Sequence, residues 1–113
     1  MMNEKMTNAI ETLRQIVIAD YLNFQGLENR TEIQARMADE FINGIEVRPG
    51  NKYIKIITKS SVWGFIVNTD TDAKFKRGDI LKAAGFNAPA RNKARGNVLE
   101  GAYEVNWTGP RYL

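Results

Sequence analysis

Seven lysines and arginines crowd into the 22 residues from 74 to 95: Lys74, Lys76, Arg77, Lys82, Arg91, Lys93 and Arg95, with Asp79 as the one opposing carboxylate. Such side chains neutralise phosphates, and each neutralised phosphate releases condensed counterions, so the run has the electrostatic signature of a polyanion-binding surface. The small residues between Asn87 and Gly96 would let a backbone approach closely. The same run would equally serve as a solvated segment that balances acidic residues elsewhere. That alternative has substance, because residues 1–50 carry a net charge of −3 and residues 51–113 a net charge of +6.

Aromatic residues lie close to this charge. In the segment around residue 53, period-two spacing puts Tyr53, Lys55 and Ile57 on one face and Ile54 and Ile56 on the other. A tyrosine beside a lysine on a sheet is a surface on which bases stack. Trp63, Phe65 and Val67 are expected to share a face, and Trp63, Phe65 and Trp107 are assigned to the core, where large aromatics at this spacing belong. Tyr53 and Lys55 are therefore the exposed pair, and they join the seven cations as candidate nucleic-acid-binding residues.

Other chemistries are poorly supplied. The chain has no cysteine and no histidine, which removes thiol nucleophiles, disulfides, and the commonest general base and metal ligand. Asp70-x-Asp72 resembles the start of a calcium loop, but Lys74 stands where an oxygen ligand belongs and Phe75 where glycine is needed. No P-loop, dinucleotide fingerprint or Gly-x-Ser-x-Gly motif occurs, and no carboxylate spacing suggests glycoside chemistry. Gly78-Asp79 opens an expected short helix whose N–H groups would attract an anion, but Asp79 at its cap would compete, so it reads as a plain capped helix. No catalytic residue, metal or cofactor is assigned, and an enzyme is not expected.

The elements that must position these residues follow from periodicity. Ile10, Leu13, Val17, Tyr21 and Phe24 recur at spacings of three and four, predicting a helix over 7–24, capped by Thr7 or Asn8 and ended by Gly26. A second helix is predicted over about 31–43, with Asn29 or Thr31 as cap, Ile33, Met37 and Phe41 on one face, and Gly44 just past its end. The short link 25–30 would make the two helices antiparallel neighbours. The period then changes to that of strands, at 45–47, 52–58 and 62–68. A type II turn is expected at Arg48-Pro49-Gly50-Asn51, and Ser60-Ser61 forms the second connection. Short helices are predicted at 79–84 and 87–95, and a closing strand at 102–108 has Tyr103, Val105 and Trp107 on its dry face.

The resulting expectation is one α+β domain, residues 1–113, with two N-terminal helices (1–44) packed on a small, mainly antiparallel sheet (45–113): a three-stranded meander, a short helix and a closing strand. No signal peptide is read at the N-terminus, and the longest apolar run, Ile16–Ala19, is far too short to span a membrane. The Asn-x-Thr triplets at Asn29 and Asn106 are read as chance matches.

Lys52-Tyr53-Ile54-Lys55-Ile56-Ile57, then Ser61-Val62-Trp63-Gly64-Phe65-Ile66-Val67, Gly78-Asp79-Ile80-Leu81-Lys82-Ala83-Ala84-Gly85-Phe86 and Ala88-Pro89-Ala90-Arg91-Asn92-Lys93-Ala94-Arg95-Gly96-Asn97 resemble, in that order, a set of small uncharacterised accessory proteins of tailed bacteriophages. The resemblance covers roughly residues 45–113 and carries no assigned site. It implies a phage or prophage product acting in the bacterial host cytoplasm. It also implies that residues 78–84 pack as one unit, with Leu81 and Ala84 toward the sheet and Lys82 toward solvent. Two functions are expected from all of this. One is a non-enzymatic accessory protein that binds DNA or RNA through the basic C-terminal surface. The other is a protein-interaction module that modulates a host protein through the acidic helix pair or the basic loop.

Overall fold

The computed structural model describes residues 2–26, 31–59 and 61–110. Asn29, most of the 25–30 link and Ser60 lie outside them. The chain is α+β, with two helices and a mainly antiparallel sheet. Helix α1 (Glu4–Gln25) starts a turn earlier than its apolar stripe suggested, because the Asn3 side chain accepts from Met6 N at 2.8 Å and caps it there. Gly26, at φ +86°, ends it. Helix α2 (Glu32–Gly44) begins at a capping box in which Thr31 and Gln34 satisfy each other's backbone N–H groups. The helices touch in opposite sequence sense, as antiparallel neighbours do. The Gln25 side chain donates to Gln34 O at 2.8 Å, Tyr21 stacks on Phe41 with centroids 4.2 Å apart, and Arg14 reaches Ile42 O.

Strands β1 (Glu46–Pro49), β2 (Tyr53–Thr58), β3 (Ser61–Val67) and β4 (Ile80–Leu81) form one antiparallel sheet in the order β1-β2-β3-β4. The meander is as expected, but its first turn is shifted. Pro49 pairs with Ile54, and Gly50 N donates to Tyr53 O at 2.9 Å, so the chain reverses at 50–53 without positive φ at Gly50. Between Ile56 and Ile57 the β2–β3 register slips, and Trp63 becomes the extra residue of a bulge. This overturns the expected common face for Trp63, Phe65 and Val67. Trp63 joins Ile54, Ile56, Ile66 and Ile80 beneath the helices, with its indole N–H donating to Asn106 O at 2.8 Å. Phe65 and Val67 face the other way, onto Phe75 and Leu81. Truncating a fully covered residue such as Leu13 or Ile66 to alanine would cost about 2–5 kcal/mol.

The short helix expected at 79–84 does not form. Ile80 and Leu81 pair with Ile66 and Phe65, and each is fully buried on an opposite face of the sheet. Burial on both faces is available to a strand and outweighs the helix propensity of Leu-Lys-Ala-Ala. Residues 83–95 are not helical either. β5 (Ala83–Gly85) and β6 (Ala88–Pro89) form a hairpin, and Ala90 N and Arg95 N donate across to Lys82 O and Ile80 O. Leu81 faces the sheet as expected, but Ala84 is exposed and Lys82 is half-buried. The closing strand is divided. β7 (Gly96–Asn97) pairs with β8 (Ala102–Tyr103), and β9 (Val105–Asn106) pairs with β10 (Gly109–Pro110). Tyr103, Val105 and Trp107 still pack on the helix-side core, and Trp107 N donates to the Asp20 carboxylate at 2.9 Å.

Candidate nucleic-acid interface

One face of the sheet is covered by α1 and α2. The other is covered by the segment that carries the cations. Tyr53 and Lys55, two residues apart on β2, point to this second face, and each collects part of the basic segment. The Lys55 ammonium donates to Asn87 Oδ1 at 2.7 Å and sits 4.3 Å from the centroid of the Phe86 ring. Arg91 donates to Tyr53 Oη at 2.5 Å and lies 5.0 Å from the Phe75 ring. Lys74 reaches the same ring at 5.4 Å and donates to the carbonyls of Arg91 and Asn92. Four of the expected site residues, Tyr53, Lys55, Lys74 and Arg91, are thereby brought together. Lys93 is exposed on the same stretch of chain as Arg91, and its side chain has no partner among the described residues.

Asp72 organises this cluster. Its carboxylate accepts from Lys74 N and Phe75 N and holds the Arg91 guanidinium with two bonds of 2.9 Å. Those donors, Arg91 foremost, hold the Asp72 carboxyl far below the usual range and raise the already high Arg91 pKa. The Asp72 side chain is only 4% exposed while that of Arg91 is 40% exposed, so the guanidinium faces outward with its counter-charge covered. Asp70 pairs with Arg77 in the opposite sense, with its carboxylate 76% exposed and the Arg77 side chain 30% exposed. Arg77 also donates to Asn68 O and Oδ1 and lowers the Asp70 pKa. With both acids engaged by arginines, the calcium-like spacing is a pair of arginine clamps.

The remaining expected residues part from the cluster. Lys76 pairs with Glu100, which raises the lysine's pKa. Arg95 is 5% exposed and donates to Lys93 O, so it is a buried structural residue. Lys82 stays half-buried where β4 passes into β5. Lys76, Arg77 and Arg91 form their ion pairs with Glu100, Asp70 and Asp72, near neighbours in the fold. Lys59–Glu40 is a pair that does cross to α2. Asn97, 4% exposed, holds the base of the segment through bonds to Arg77 O, Asp79 Oδ1, Leu99 N and Glu100 N.

Two features escaped sequence reasoning. Phe86 is 52% exposed at the tip of the β5–β6 hairpin, beside a shallow groove of about 290 Å³. The Gly85-Phe86-Asn87 string, with turn formers on both sides of an aromatic, was the available signal. On the helix pair, Phe24, Ile33 and Met37, expected on buried stripes, are 70%, 64% and 46% exposed. Phe24 and Met37 line a groove of about 270 Å³ with Tyr21, Phe41 and Trp107. Among the described residues no cluster is arranged to hold a metal ion, and no helix is long and apolar enough to cross a membrane. No family model, curated protein or solved structure matches the chain.

Proposed function

We propose that the chain is a non-enzymatic accessory protein, of phage type and acting in the bacterial cytoplasm, that binds nucleic acid through the cationic and aromatic sheet face around Lys55, Lys74, Arg91 and Lys93. The observation that carries this reading is the gathering of Lys55, Lys74 and Arg91 with Tyr53, Phe75 and Phe86 on one side of the sheet, while the Asp72 carboxylate lies covered beneath. Such a face presents phosphate-neutralising groups beside the half-buried Tyr53 and the exposed Phe86, the combination that tracks a nucleic-acid backbone and stacks on its bases. Lys76 and Arg77, clamped by Glu100 and Asp70, and buried Arg95 have lesser parts or none. The test is a band-shift with labelled DNA and RNA in about 50 mM salt. Binding that weakens steeply with added salt supports the reading, and no complex with either polymer ends it.

A second reading is favoured by the exposed helix-pair groove. Phe24 lies 5.2 Å from Trp107 between ring centroids and remains 70% exposed. A patch of aromatic and methionine side chains has the composition of a protein-docking surface. On this reading the protein modulates a host protein. A partner retained by the wild-type chain and lost with Met37→Glu would support it, and retention unaffected by Met37→Glu and Phe24→Ser would remove it.

A further inference from the structure

We infer that Phe86 and the groove beside it form a stacking site for one unpaired nucleobase, so that the preferred ligand of the cationic face is a single-stranded polynucleotide; this rests on the nucleic-acid reading above. Gly85 pairs with Ala88, which leaves Phe86 and Asn87 as the two-residue tip of the β5–β6 hairpin. The ring is held in place although more than half of the residue is exposed. The Lys55 ammonium lies 4.3 Å from its centroid, and the same ammonium is anchored at 2.7 Å to Asn87 Oδ1. Phe86 stays 52% exposed with the cation over its ring, so ring surface remains for a base whose phosphate would lie near a positive charge.

The groove beside the ring suits such a guest. Its volume of about 290 Å³ exceeds that of one base, and its walls are Ser61, Val62, Ala83, Ala84 and Gly85. These side chains are small, and Ser61 offers the polar atom. Nothing lies within 4 Å of where a Cβ on Gly85 would stand, so the approach over the hairpin is open. A duplex keeps its base faces stacked on one another and cannot offer one to Phe86 without opening. Every base has a π-face, so the site is expected to tolerate sequence.

The test measures fluorescence anisotropy of labelled 20-nucleotide single strands and the matching duplex in about 50 mM salt, with wild-type, Phe86→Ala, Phe86→Leu and Phe86→Trp proteins of verified thermal stability. Wild type is expected to bind the single strand more tightly than the duplex. Phe86→Ala and Phe86→Leu are expected to lose about 5- to 150-fold on the single strand, the size of one base–aromatic stack, with little change on the duplex. Phe86→Trp is expected to hold or gain affinity. Wild-type preference for the single strand with no loss in Phe86→Ala and Phe86→Leu would overturn the stacking site and leave the cationic face standing. Equal or better binding of the duplex would overturn the single-strand preference. Binding of neither polymer would overturn the stacking site and the cationic face together.

Discussion

Replacing Asn97 with alanine tests how the basic segment is held in place. The Asn97 amide donates to Arg77 O at 3.0 Å and Asp79 Oδ1 at 2.9 Å, and accepts from Leu99 N at 2.8 Å and Glu100 N at 3.0 Å. Leu99 and Glu100 have access to water, so their loss is about 0.5 kcal/mol each. Arg77 O and the buried Asp79 carboxylate lose partners where water is scarcer, which adds about 1 kcal/mol each and brings the expected total to about 3 kcal/mol. For a chain of this size that lowers the melting temperature by about 10–15 °C. Asn97→Asp keeps the shape and the acceptor but faces the Asp79 carboxylate with a second one. It should be less stable than Asn97→Ala at pH 7 and recover part of the difference as the pH is lowered. Thermal and urea unfolding followed by circular dichroism reads both variants. A loss below about 1 kcal/mol in both, or an aspartate variant as stable as wild type, would refute this reasoning.

Four cations make up the proposed face, Lys55, Lys74, Arg91 and Lys93, so the log–log salt slope for single-stranded DNA should be about −2.8, and Lys55, Lys74 and Lys93 all changed to glutamine should bring it to about −0.7. Lys76→Gln should leave that slope nearly unchanged, because Glu100 already compensates Lys76; anisotropy titrations across salt concentrations measure both. The carboxyls of Asp70, Asp72 and Glu46 are lowered by Arg77, Arg91 and Arg48. Their contribution is therefore complete above the unfolded carboxyl range near pH 4 and is lost as the pH falls toward the depressed folded values. With no histidine in the chain, stability should be flat from about pH 5.5 to 7.5, and Asp72→Asn should flatten part of the fall below pH 4 in urea titrations.

Much of the helical part was legible because amphipathic spacing and caps are local. Ile10, Leu13, Val17 and Tyr21 are buried at their expected spacing, and Thr31 caps α2. The exposure of Phe24 and Met37 was not, since a stripe records which side chains can be buried and not where the covering elements end. β2 and β3 were legible from β-branched and aromatic residues, but the bulge at Trp63 was not, since one inserted residue leaves the alternation intact on either side. Residues 79–84 were misread because two turns of helix and two residues of buried strand make similar apolar patterns, and the contacts that decide come from β3. In the site, charge counting from Lys74 onward passed over Asp70 and Asp72, just upstream, which clamp Arg77 and Arg91. Arg95 is buried by long-range pairing that no local pattern reports.

The central claim is that the β2 face and its hairpin, not the helix pair, meet a polyanion. The most direct measurement is a 1H–15N amide titration of the full chain with a short single-stranded oligonucleotide at low salt. The account predicts shifts at Lys55, Phe86, Asn87 and Arg91 through Lys93, with the amides of α1 and α2 unmoved. Shifts confined to the surroundings of Phe24 and Met37, or no shifts at all, would contradict it.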